Sequence, residues 1–190
     1  MELRKWFPGW KFEVFNVIFV VFFQQLAILA FASPAAVAMQ NADTPLGFID
    51  GIASTLFIVF WLGETIADQQ MFDFQTEKYR RIAAKQPLGP YSKGFIDTGL
   101  WSWSRHPNYF CEVSLWWAFW LFSVSASGMW VNFSLLGPVF LTLLFAAPKA
   151  SCDMTELLSG RKYPHFPEYQ RRVSKFVPWW PKQDTDAKSH

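Results

Sequence analysis

A chain of 190 residues is short enough for one domain, but a hydrophobic fraction of 52%, with 11 Trp and 21 Phe, makes lipid rather than water the expected solvent. Two cysteines are too few for a disulfide framework and should be thiols, and with three scattered histidines they offer no metal-site spacing. A net charge of +2 with no interleaved basic motif excludes nucleic acid as the expected partner.

Residues 1–12 carry Trp6, Phe7 and Trp10 among Arg4, Lys5 and Lys11, the composition of an interfacial anchor that leads into a membrane helix. Residues 14–39 form the first predicted span, long enough to cross a hydrocarbon core of about 30 Å with tilt. Pro34 is expected to kink or end it. Gln24 and Gln25 fall mid-span, where amides facing lipid are costly, so that face is predicted to look toward other helices. After a turn at Asp43-Thr44-Pro45, residues 47–67 form the second span. Its end carries Glu64 and Asp68 on one helix face, an i, i+4 pair that reads equally as solvated helix-end residues or as part of a site. Residues 76–85 are polar and basic, and Gln86-Pro87-Leu88-Gly89-Pro90 stops the helix.

Polar chemistry is concentrated in the next stretch, Gly99-Leu100-Trp101-Ser102-Trp103-Ser104-Arg105-His106-Pro107-Asn108-Tyr109-Phe110-Cys111-Glu112. Pro107 fixes its own φ and biases His106 away from helix, so residues 104–107 should be extended and Asn108 should begin a helix. The free backbone N–H groups of that helix start suit an anion in front of Arg105. The same residues would equally serve as a wet juxtamembrane loop with Arg105 on a lipid phosphate. Residues 108–124 are the third predicted span, with Trp116, Trp117 and Trp120 near a common face that suits packing or a lipid belt. Residues 131–147 are the fourth.

Beyond Pro148 the chain is amphipathic and basic, as an interfacial helix on anionic lipid would be. Residues 184–190 form a polar tail. All 17 Lys and Arg lie before the first span, between the second and third, or after the fourth. By the positive-inside rule both termini and the middle loop are cytoplasmic, and the loops near Asp43 and Ser127 face the other compartment. The expected fold is an all-α polytopic membrane bundle of about four transmembrane helices, one domain over residues 1–183, with a cytoplasmic amphipathic C-terminal segment.

The run from Gly99 to Glu112 resembles the G-x-W-x-x-S-R-H-P-N-Y-x-G-E signature of the membrane-embedded steroid 5-alpha-reductase-like family, in its uncharacterised DUF1295-type branch. Cys111 stands where that signature has Gly. A looser Arg-His-Pro-x-Tyr version occurs in sterol C-14 and C-7 reductases and in isoprenylcysteine carboxyl methyltransferases. The fragment Glu64-x-x-Ala67-Asp68-x-Gln70-x-x-Phe74 resembles a second family motif, in which the Asp helps to hold the cofactor; Gln75 occupies a position that is often basic. The string Glu156-Leu157-Leu158-x-Gly160-Arg161-x-Tyr163-Pro164, followed by Tyr169-Gln170-Arg171-Arg172-Val173 and Phe176-Val177-Pro178, is similar to the family's C-terminal segment.

The resemblance implies NADPH as cofactor, held by Asp68, Arg105, His106, Asn108, Glu112, Glu156, Tyr163, Tyr169 and Arg172, with Tyr109 and Glu112 as candidate catalytic groups. The implied reaction is hydride delivery to a carbon–carbon double bond of a sterol or other lipid. The chemistry of the residues suits these roles: Arg105 has a fork of donors for phosphate, Asn108 donates and accepts, and Asp68 and Glu112 can accept ribose hydroxyls. The similarity covers nearly all of the chain but only about the C-terminal two-thirds of the family pattern. The missing part holds the substrate-side carboxylate and tyrosine of the characterised steroid reductases. A truncated gene product, a non-catalytic subunit of a larger membrane complex and an enzyme completed by another chain are therefore all open. A methyltransferase using S-adenosylmethionine is the third functional reading, set below the reductase by the Asp68-Gln69-Gln70 sequence.

Overall fold

A computed structural model describes residues 9–182, so the polar tail at 184–190 and most of the proposed N-terminal anchor lie outside the described residues. Six helices follow in order: α1 Trp10–Gln40, α2 Phe48–Ala83, α3 Pro107–Ser127, α4 Leu136–Ala146, α5 Ser151–Lys162 and α6 Phe166–Arg172. Among the described residues the one strand-like pairing is a parallel bridge between Ser104 and Ser174. Three segments are long and apolar enough to cross a membrane: α1, α2 and residues Phe133–Lys162, which contain α4 and α5. The chain is thus a helical membrane bundle.

α3 has 21 residues, enough length for a span, but it is not among those three. Its three Trp, its serines and Glu112 keep its most apolar stretch below the mean hydropathy that the three spans reach. It is nonetheless the hub, and its most extensive interface is with α2. Phe57 meets Phe119 and Phe60 meets Phe110, with ring centroids 6.3 and 6.0 Å apart. About one turn past Phe60, Gly63 leaves room for the Cys111 thiol, which would lie 2.8 Å from a Cβ at that glycine. A larger side chain in place of the signature glycine is therefore accommodated by a glycine on the facing helix. Both cysteines are free thiols.

α1 runs straight through Pro34 to Gln40 and contains a π-helical stretch at Val17–Phe23. A proline cannot donate to the carbonyl four residues earlier, which frees the Ala30 oxygen. Ser33 Oγ donates to it at 2.6 Å, and Gly137 of α4 approaches the same carbonyl so closely that a Cβ would sit 2.9 Å from it. The expected helix end at Pro34 is thus converted into a helix contact. Gln24 and Gln25 are exposed rather than turned toward the other helices. α4 meets α1 through Phe23 and Phe31, which face Phe140. The Trp stripe of α3 is packing: Trp116 lies 4.7 Å from Phe31, and Trp117 Nε1 donates to Thr142 Oγ1 at 3.0 Å.

The second span is one helix of 36 residues that continues past Ala67 to Ala83. At 1.5 Å per residue it is about 54 Å long, so its last four turns stand beyond a hydrocarbon core. α4 alone rises only about 16 Å. The chain breaks after it at residues 147–150, where Lys149 takes φ 63°, and resumes as α5.

Candidate functional site

The segment that delivers Arg105 is anchored residue by residue on α2. Gly99 adopts φ 62°, and a Cβ there would lie 2.5 Å from Gln70 Oε1. That close approach lets Gln70 Oε1 accept the Leu100 N–H at 3.0 Å, while the Trp101 indole donates to the Ala67 carbonyl at 3.0 Å. Ser104 is fully buried; its hydroxyl donates to the Phe176 carbonyl at 2.8 Å and accepts the His106 N–H at 3.1 Å. The Arg105 N–H donates to the Ser174 carbonyl at 2.8 Å. Ser104 thus makes a single bridge to Ser174 in the segment after α6; the chain then bends at Arg105 and His106 instead of staying extended to Pro107, and Pro107 opens α3 at its first position, where a missing N–H costs nothing.

Arg105 and Glu156 form the centre of this end of the molecule, with side chains 9% and 8% exposed. Arg105 Nε donates to Glu156 Oε1 at 2.7 Å and Nη2 to Oε2 at 3.1 Å. Nη1 donates to the carbonyls of Gln170 and Val173, both at 2.6 Å. Four of the five guanidinium N–H groups are therefore committed within the protein, and one remains. Glu156 also accepts from Gln170 Nε2 at 2.7 Å, and His106 Nε2 lies 3.2 Å from its Oε1. A buried ion pair is stable only when its remaining lone pairs and protons are met, and here almost all are. The fork expected to grip a phosphate instead ties the Arg-His-Pro segment to α5 and to the chain leaving α6.

A cavity of about 340 Å³ opens beside this pair. It is lined by seven of the residues singled out by sequence: Arg105, His106, Asn108 and Tyr109 from the α3 start, Glu156 and Tyr163 from α5 and its end, and Tyr169 from α6. Tyr109 is held between aromatic rings, parallel to His106 at 5.5 Å and stacked on Phe145 at 4.4 Å. Asn108 Nδ2 donates to Asp68 Oδ1 at 2.9 Å, so Asp68 reaches the cavity through Asn108. The Tyr169 hydroxyl donates to the Trp101 carbonyl at 2.5 Å, and burial pushes its phenol above the ordinary value, keeping the proton in place.

Two candidates lie elsewhere. Glu112, one turn further along α3 than Asn108, does not line the cavity. Arg172 faces outward beside Asp97 at 3.8 Å, next to a separate cleft of about 60 Å³. Met71 and Gln75, on the helix face that carries Glu64 and Asp68, also line the cavity, whereas Gly94, Thr155 and Ser159 line it without having been singled out by sequence. Gly94 takes φ 84°, and a Cβ there would lie 2.4 Å from Tyr163 Cε1, so the absent side chain is what seats that ring. Lys78 Nζ donates to the Gly94 carbonyl at 2.9 Å and faces Tyr163 at 5.8 Å, bracing both from behind the lining. A glycine in the 91–98 loop was the available signal for this wall, but nothing local to it names Tyr163, 69 residues on.

Residues 1–173 match the family model described as "Protein of unknown function (DUF1295)", and the chain belongs to that family. An uncharacterised protein of Schizosaccharomyces pombe is 32% identical over 200 residues, a match that covers 98% of this chain and 57% of that protein. The chain thus spans little more than half the length of the curated relative it matches. No solved structure matches it.

Proposed function

We propose that this member of the DUF1295 family is a membrane-embedded, NADPH-dependent reductase acting on a carbon–carbon double bond of a sterol or other lipid, with both termini and the cavity on the cytoplasmic side. The observation that carries the reading is the convergence of the Arg-His-Pro-Asn-Tyr segment and the C-terminal segment, some fifty to seventy positions apart, on one cavity of about 340 Å³. That volume is at the lower end of small-molecule sites and suits part of a dinucleotide rather than the whole.

The lining fits the uncharged parts of the cofactor. Asn108 keeps its carbonyl oxygen and one N–H for an amide or ribose, and the rings of Tyr109, Tyr163 and Phe95 offer flat apolar walls. For phosphates the fit is weaker, because Arg105 is the sole Lys or Arg of the lining and Glu156 takes its charge; the phosphates would lie beyond the lining. When bound, NADPH supplies a hydride; the protein's part is to bind, orient and supply a proton. The Tyr109 hydroxyl makes no hydrogen bond to the described residues, and its ring is fixed on two sides, which suits a proton donor to the reduced product.

The closed Arg105–Glu156–Gln170 network favours a second reading, a non-catalytic subunit of a larger membrane complex that retains the site's framework. Titration of detergent-purified protein with NADPH, followed by nucleotide fluorescence, separates the two. Saturable binding that S-adenosylmethionine does not displace supports the reductase reading. Absence of binding, with the protein folded, supports the subunit, and displacement by S-adenosylmethionine supports the methyltransferase.

A further inference from the structure

α5 is built inside out for a helix in water. One face, toward Arg105, holds Cys152, fully buried, Glu156, 7% exposed, and the partly buried Ser159. On the opposite face, at i, i+3, i+4 and i+7, stand Met154, Leu157, Leu158 and Arg161, the three apolar ones 56%, 49% and 60% exposed. A water-facing helix carries the reverse pattern. The exposed apolar surface also continues along the chain from the preceding membrane segment, where Leu143 and Leu144 of α4 are exposed in the same way. Two cations bracket the face: Lys149 in the break before α5 and Arg161 in its last turn, about 18 Å apart along the helix. Both are exposed, and neither side chain makes an ion pair among the described residues. The other cations nearby are engaged: Lys175 with Asp153, Arg105 with Glu156 and Lys162 over the Tyr163 ring.

We propose that the outer face of α5 lies in the boundary between acyl chains and headgroups, and that Lys149 and Arg161 bind anionic phospholipid there. Met154, Leu157 and Leu158 supply the apolar contact, and the two cations take headgroup phosphates at either end, the combination that holds a helix on a negatively charged leaflet. The face is joined to the membrane-crossing part of the chain through only four residues, so it reaches the leaflet surface without any change in the fold. Neutral zwitterionic lipid satisfies the apolar face but leaves the cations without a net counter-charge.

Purified protein in nanodiscs of phosphatidylcholine alone, and of phosphatidylcholine with phosphatidylglycerol, tests this. The expected result is a higher melting temperature in the anionic discs, a difference removed by Lys149→Gln with Arg161→Gln while melting in phosphatidylcholine is unchanged. In a Cys111→Ala background, an environment-sensitive fluorophore on Leu158→Cys is expected to be blue-shifted and quenched by lipids brominated near the carbonyl. Equal melting in the two disc types overturns the proposal, as does a lipid dependence that survives the double substitution. So does a fluorophore that reports water, or one shielded from brominated lipid by a second protein surface.

Discussion

The two ends of the bundle satisfy their buried polar groups in different ways. At the end near Ser127, Ser123 Oγ and Ser134 Oγ lie 2.7 Å apart, and Asn132 Oδ1 accepts from the Ser134 backbone N–H at 3.0 Å. All three residues lie within twelve positions, and none is charged. Asp50 at that end accepts from Ser125 Oγ at 2.7 Å and from the Gly47 N–H at 2.8 Å, capping α2. At the other end a buried guanidinium and carboxylate draw in backbone carbonyls 65 and 68 positions away. The Ser123–Asn132–Ser134 bonds are neutral and local and close a turn, whereas Asp50, whose bond to Ser125 spans 75 positions, is only partly buried. A buried charge pair with long-range partners costs more to desolvate and must be met completely, so it fixes where separate segments lie. The cavity that gathers the motif residues lies beside the second kind of arrangement, where three segments are forced together; another, of about 410 Å³, opens beside Asp50 and Ser125.

The comparison can be broken most strongly at the ion pair. Glu156→Ala or Arg105→Ala leaves a buried charge without its partner, and each should destabilise the protein by about 3–5 kcal/mol, measured by thermal unfolding in detergent. Gly94→Ala follows, because φ 84° and the Tyr163 ring both oppose a Cβ there. It should cost about 1–3 kcal/mol and displace Tyr163 from the cavity, read as altered accessibility of the tyrosine. Asn108→Ala leaves the helix start intact but removes the bond to Asp68 and the free amide groups. It should weaken NADPH binding by about 1–2 kcal/mol in the same titration, with little change in melting temperature. Ser134→Ala at the opposite end should cost only about 1 kcal/mol, because one neutral bond is lost in a cluster that can regroup.

Much of this was legible from residues whose meaning is local. Pro107 announces a helix start, and α3 begins there; Gly47 and the run after it read as a membrane helix, and α2 is one. Arg105, Asn108, Tyr109, Glu156 and Tyr163 were assigned to one site by motif, and the structure gathers them around one cavity. Less visible was how charge would be allocated. An arginine that will bind phosphate and one that will be neutralised by a glutamate 51 positions later look alike in a sequence, because the choice depends on where α5 lands. For the same reason Arg172, close in sequence to Tyr169, points to Asp97 and away from the cavity. Gln24 and Gln25 misled through an average rule: amides avoid lipid, but only a neighbouring helix can receive them, and both stand exposed among the described residues. Pro34 does not end α1, because Ser33 donates to the carbonyl it frees and Gly137 packs close against it.

A double-mutant cycle on Arg105 and Glu156, with Arg105→Met, Glu156→Leu and both together, tests most directly whether these two distant side chains hold the cavity closed. The account predicts that the double variant is clearly more stable than the sum of the two single losses allows, by at least about 2 kcal/mol of coupling, because the second change removes a charge the first left stranded. Additive losses, or single variants as stable as wild type, would contradict it.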